Sequence, residues 1–209
     1  MLKDIYLNNA RIPERYKQDY GLVPSKEDEK AFITLRDVKD NIKKFVGQGS
    51  NVLICSNNEV NVKSSWSKKL LKAYIDQVQS LSFTDNTPAL FVNVNSFLNE
   101  KKLAISDPSL QDEINKIERS ILTAKLVVFD DIADKTLSEY DMSAMYHWID
   151  YRTSMLKSCI FTSNQLPSQL QKTLTGKVFS RIVNYSMIVQ FTDGDHRSVN
   201  FDYSTSSSK

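Results

Sequence analysis

The chain has 209 residues, 41% of them hydrophobic and 25% charged, which is the composition of one globular domain able to bury a sizeable core. A net charge of +2 excludes a globally basic nucleic-acid coat, so any basic surface must be local. Two histidines and the widely spaced Cys55 and Cys159 offer neither a disulfide framework nor metal-site spacing, and no apolar run approaches the ~18 residues of a membrane helix. The expectation is a soluble cytoplasmic protein with reduced, packed thiols and no membrane partner.

In chain order, residues 1–28 are polar, contain Pro13 and Pro24, and read as an extended or short-helical arm. Residues 27–46 place Phe32, Leu35, Val38, Ile42 and Val46 at helical spacing, and Gly47-Gln-Gly49 ends that helix. The run 51–55 (NVLIC) is a short buried strand. From Ser65 to Gln79, Trp66, Leu70, Leu71, Tyr74, Ile75 and Val78 form one apolar stripe, with Lys68, Lys69 and Lys72 mostly off it. ALFVNV (89–94) is a second strand, followed by helical stretches near 95–103 and up to about Thr123. KLVVFDD (125–131), SCIFTSN (158–164) and YSMIVQF (185–191) supply three more strands, with a helix over 137–156 between the first two. Strands alternating with helices at this spacing predict a parallel α/β sheet covered on both faces. Phe91, Phe97, Trp148 and Tyr151 are expected in the core, and the tail from Ser204 is polar and disordered in character.

The stretch SNNEVNVKSS (56–65) lies where a strand passes into a basic helix, the place of a phosphate-binding loop. Such a loop reads G-x-x-x-x-G-K-[ST], with glycines that let backbone N–H groups curl around phosphate. Aligned on Lys63 and Ser64, the glycine positions hold Asn57 and Val62. LVVFDDIA (126–133) ends an apolar strand in two acids, as P-loop NTPases place a Walker B carboxylate beside Mg²⁺. In that pattern Asp130 holds the metal and Asp131 polarises the attacking water; a buried strand ending in a polar turn explains the same residues. In CIFTSNQ (159–165), Asn164 is placed to orient that water or to cap a turn. Each signal is weak alone. Their order along the chain matches the additional-strand class of P-loop ATPases.

On these motifs the sequence resembles the DnaC/DnaI-type helicase loaders, a branch of the AAA+ ATPases that includes transposition helper ATPases. The resemblance covers about residues 9–200. ARIPERY (10–16) resembles the family's entry segment, LVVFDDIA its Walker B and TSN (162–164) its sensor 1. GKVFSRI (176–182) is similar to the stretch ending in the arginine finger, which falls on Arg181, and FTDGDHR (191–197) to the closing strand with its arginine, Arg197. The resemblance implies a five-stranded parallel sheet in the order 5-1-4-3-2, an arm (1–28), an AAA+ core (29–200) and a disordered tail (201–209). It implies ATP held by Asn57, Asn58, Val62, Lys63, Ser64, Ser65 and Arg197, with Mg²⁺ on Ser64 and Asp130. Asp130, Asp131, Asn164 and Arg181 are the implied catalytic set. The region between the second and third strands lies, in the family, near single-stranded DNA, which assigns phosphate contacts to Lys101, Lys102, Lys116 and Arg119, with Ser96, Asn99 and Ser106 as neutral donors.

Two departures qualify this. The loop has no glycine, Val62 is β-branched where a strained backbone would cost ~1–3 kcal/mol, and Glu59 sets a negative charge near the triphosphate. Only about nine residues precede ARIPERY, where family loaders carry a separate helicase-gripping domain; a trimmed form of this kind is expected of a phage or mobile element. The expected function is a replication protein that assembles on single-stranded DNA, as a homo- or hetero-oligomer, with a replicative helicase or another loader subunit. It is an ATPase if active, with ATP binding weak or lost. The alternatives are a pseudo-ATPase subunit that regulates a loader and a transposition helper of the same branch.

Overall fold

The structure is a computed structural model that describes residues 2–17, 21–57, 62–83, 86–133 and 136–192. Asn58 and Glu59, in the middle of SNNEVNVKSS, lie outside the described residues, as do Arg197 and the tail 201–209.

Five parallel strands form one sheet: β1 (Asn51–Ser56), β2 (Ala89–Asn93), β3 (Leu126–Asp130), β4 (Ser158–Ser163) and β5 (Ser186–Phe191). Their spatial order is β2-β3-β4-β1-β5, the expected 5-1-4-3-2 order seen from the other side. Every residue of β1, β3 and β4 is buried, because strands covered on both faces are continuous apolar runs rather than alternating ones. Val52, Ile54, Val128 and Ile160 point to one face, where they meet α1 (Leu2–Asn9), α2 (Glu29–Asp40), α3 (Ile42–Gly47) and α4 (Val62–Val78). Leu53, Cys55, Val127, Phe129 and Phe161 point to the other. That face is covered by α5 (Val94–Ser106), α6 (Gln111–Thr123), α7 (Glu139–Ser154), α8 (Pro167–Thr173) and α9 (Gly176–Val183).

Several boundaries depart from the sequence reading. The single helix expected over 27–46 is two, broken at Asn41 (φ −105°, ψ 21°), whose side-chain amide donates to the Asp37 carbonyl at 3.1 Å. An asparagine that bonds the backbone behind it competes with helical continuation. The apolar face is nevertheless continuous, with Phe32, Leu35, Val38, Ile42 and Val46 all buried. Tyr151, expected in the core, is 39% exposed. Lys68, expected on the solvent side of α4, is 5% exposed. Val62 is the first residue of α4 and is buried. Gly49 does need to be glycine: its φ is +68°, and a Cβ would sit 2.5 Å from the Leu156 carbonyl oxygen.

The N-terminal segment is built into the sheet's surroundings. Tyr6 of α1 is fully buried, packs edge-on against Phe83 and donates its hydroxyl to the Leu81 carbonyl. The Phe91 N–H, on the outer side of β2, donates to the Ala10 carbonyl at 2.8 Å. The chain then makes a 3-10 turn at Glu14–Tyr16, and farther on Asp28 accepts from the Thr192 N–H (2.8 Å) and hydroxyl (2.7 Å) just beyond β5. The segment therefore reaches from the β2 side of the sheet to the end of β5.

Candidate functional site

In an all-parallel sheet, ligands sit outside the carboxyl ends of the strands. Here that edge gathers Ser56 at the end of β1, Asp130 at the end of β3 and Thr162-Ser163-Asn164 at the end of β4, which lies between the other two. The sheet order thus brings the Lys63 loop, the Asp130-Asp131 pair and Asn164 to one place.

Their contacts are internal. Lys63, in the first turn of α4, is 1% exposed and donates its ammonium to Ser56 Oγ at 2.6 Å. The same charge lies near Cys55, whose thiol is pushed up to about 11 by burial, with Lys63 opposing the rise. Asp130 is 3% exposed. Its Oδ1 accepts from the Thr162 hydroxyl at 2.8 Å, and that hydroxyl accepts in turn from the Asp131 N–H at 2.9 Å. The other oxygen, Oδ2, faces the Lys68 ammonium at 3.9 Å, a through-space ion pair rather than a short hydrogen bond. At such a separation and an effective dielectric near 20, unit charges attract by roughly 4 kcal/mol before desolvation is counted. Lys68 Nζ also lies 4.2 Å from the Tyr16 ring centroid and 4.7 Å from that of Phe91. Cation–π attraction is strongest when the cation is desolvated, as this one is.

Asp131 has φ 57°, a left-handed turn that aspartate tolerates better than most residues. Asn93 Nδ2 donates to its Oδ2 at 3.2 Å, and Asn95 Nδ2 to its carbonyl at 3.2 Å. The Ile132 N–H bonds the Thr162 carbonyl at 3.0 Å, and Gln165 Nε2 donates to the Ala133 carbonyl at 2.8 Å. The turn after β3 is therefore clamped between the end of β4 and the start of α5. Asn164 is half-buried beside it, Ser64 is half-buried and Ser65 is buried in α4.

The residues at Asp130 do not fit a magnesium ion as they stand. The lysine that would meet phosphate is turned onto Ser56, and the carboxylate that would meet the metal already carries an ammonium and a hydroxyl. The sequence reading missed the burial of Lys68; a lysine in the second turn of the helix after the loop, between Trp66 and Leu70 of the apolar stripe, was the available signal.

Arg181 is not brought into this group. It sits on the seam of α7 and α9, where its Nε donates to Asp150 Oδ1 at 2.7 Å and its guanidinium lies 5.8 Å from the Tyr185 ring. The hydrogen bond to Asp150 raises its pKa above the usual arginine value. Of the four cations assigned to DNA, Lys101 pairs with Glu118 and Lys102 with Asp141, each at 2.7 Å. Lys116 and Arg119 are exposed on α6. Lys116 borders a cleft of about 470 Å³ between α6 and the N-terminal segment, with Asn8, Asn9 and Arg11 on the other wall.

Solved structures that superpose on this chain include replication proteins. The DnaC helicase loader superposes with a TM-score of 0.63 at 21% identity, covering 85% of this chain and 99% of that one. DnaI superposes at 0.64 with 16% identity, over 86% of this chain and 94% of that one. A replication initiator DnaA bound to AMPPCP and single-stranded DNA superposes at 0.62 with 12% identity, over 84% of this chain and 50% of that one. The likeness shows the fold, a helix-covered five-stranded parallel sheet shared with these loaders and initiators. No protein-family model and no curated protein matches the sequence.

Proposed function

We propose that this chain acts in DNA replication as a loader-type AAA+ protein that binds single-stranded DNA and works beside a replicative helicase or another loader subunit, with its own ATP binding weak or lost. The observation that carries this is a loader fold spanning 99% of the DnaC chain in which Lys63 and Asp130 are committed to internal partners. The initiator structure with bound single-stranded DNA supports a DNA role for the fold. Lys116 and Arg119 are the phosphate-contacting pair in this reading, since both are exposed while Lys101 and Lys102 are held in ion pairs.

Anisotropy of a labelled single-stranded oligonucleotide tests this. Binding is expected without ATP and should weaken with salt at a log–log slope of about −0.7 per phosphate contacted. Lys116→Glu with Arg119→Glu should weaken it at least tenfold, and Lys101→Ala with Lys102→Ala by less. Absence of binding at low salt overturns the DNA role, and low-micromolar ATP affinity overturns the nucleotide part.

A regulatory subunit of an active loader is the second reading, and the partly exposed Arg181 favours it. On a neighbour's nucleotide an arginine finger is worth ~10³–10⁵ in rate. In a mixed assembly with an ATP-hydrolysing loader, Arg181→Ala should then reduce turnover without changing this chain's melting.

A further inference from the structure

We infer that Lys68 is an internal cation standing in at Asp130 for a divalent metal, so that the strand-end site is held together by the protein alone. The inference rests on the reading that nucleotide binding is weak or lost, and deepens it by naming what occupies the metal's place.

Three observations converge. A carboxylate at the end of β3 that is 3% exposed requires a positive partner or hydrogen bonds. Asp130 has both: the Thr162 hydroxyl on one oxygen and the Lys68 ammonium facing the other. The ammonium in turn lies in an enclosure of the Tyr16 and Phe91 rings, and Lys68 is 5% exposed. A hydrated lysine on a helix surface has no reason to be there; an ammonium that neutralises a buried acid does. A divalent ion bound at Asp130 would share that carboxylate with Lys68 and be repelled by it. This also answers why an acid should persist at the end of β3 with no metal–nucleotide to hold: Asp130 is the counter-charge of Lys68 and the acceptor that orders Thr162, which fixes the Asp131 turn. Because Tyr16 comes from the N-terminal segment, the same enclosure ties that segment to the strand ends.

Manganese(II) binding, read from the loss of the free-ion electron paramagnetic resonance signal, tests this with no nucleotide present. Melting temperatures in 10 mM Mg²⁺ and in EDTA accompany it. Wild type should show no Asp130-dependent manganese binding and the same melting in both solutions. Lys68→Met should melt lower, recover part of the loss in Mg²⁺, and bind manganese at least tenfold more tightly than wild type; Lys68→Met with Asp130→Asn should lose that gain. Lys68→Arg keeps the charge and should behave as wild type. Manganese bound by wild type and lost in Asp130→Asn overturns the inference, as does a Lys68→Met protein that melts like wild type. Should Lys68→Met not fold, the wild-type and Lys68→Arg measurements decide alone. ATP binding measured in EDTA separates the two ideas: tight metal-free ATP binding defeats the weak-nucleotide reading and leaves the Lys68–Asp130 pair intact.

Discussion

Two buried cations lie at opposite edges of the same two strands, and they are held in opposite ways. At the edge where β3 and β4 begin, Arg152 is fully buried and donates to the carbonyls of Ile121 (2.6 Å), Ala124 (2.9 Å), Lys125 (3.3 Å) and Ser158 (2.6 Å). Those carbonyls include the last turn of α6, whose negative dipole end favours a cation. At the edge where β3 ends, Lys68 faces a carboxylate and two aromatic rings. Backbone carbonyls have fixed partial charges and nothing else to do. A carboxylate carries a full charge that a ligand could claim. The first arrangement is therefore purely architectural, while the second is the place where binding chemistry can be gained or surrendered.

Arg152→Met should break the first edge most severely. It strands several buried carbonyls at once, and with charge-assisted bonds worth ~1.5–3 kcal/mol each, a loss of about 3–5 kcal/mol in urea unfolding is expected. Thr162→Val attacks the second edge by removing the hydroxyl between Asp130 and the Asp131 N–H, and should cost about 1–3 kcal/mol. If Thr162→Val proved the more damaging of the two, the assignment of roles to the edges would have to be reversed.

The pH dependence sharpens the contrast, because another buried acid behaves as an ordinary structural carboxylate. Burial alone would raise the pKa of Asp141, but hydrogen bonds from Lys102 and Ser138 and the Lys102 charge outweigh it and leave the pKa lowered. A carboxylate depressed in the folded state contributes stability above its unfolded value, about 3.9, and loses it as pH falls through the folded value. Stability measured from pH 6 down to pH 3 should therefore decline in wild type, and less so in Asp141→Asn. The smallest effect is expected at Arg181→Ala. Its pair with Asp150 is about one-third exposed and screened by solvent, so urea unfolding of the monomer should be unchanged.

The existence of five strands was legible because β1, β3 and β4 are unbroken apolar runs bounded by polar residues. Their spatial order was not in the pattern; it came with the family resemblance. The short helices α8 and α9 escaped because seven or eight residues hold too few turns for a periodic stripe. Their starts were nonetheless marked, by Pro167 in the first turn of α8 and by Thr175, whose hydroxyl caps α9 through the Val178 N–H. At the candidate site, Lys63, Asp130 and Asn164 were singled out by the order of the motifs along the chain and by the family resemblance. Which of them face a ligand depends on partners distant in sequence, and that is why Lys68 was read as a surface residue. The partners of Lys101 and Lys102 were out of reach of the pattern in the same way, since Glu118 and Asp141 belong to other helices.

The bond from the Phe91 N–H to the Ala10 carbonyl bears on how copies of this molecule could meet edge to edge. A sheet with two bare sides can grow without limit, each copy adding to the last, whereas a sheet with one bare side can be joined once. The N-terminal segment occupies the β2 side, and among the described residues no strand lies beyond β5, where Met187 and Ile188 are exposed. The β2 side is thereby withheld from side-by-side pairing of sheets at Phe91. Deleting residues 2–12 would uncover that side and also remove the buried Tyr6, Leu7, Ala10 and Ile12, and the expected product is a less stable protein that associates through the bared β2 side.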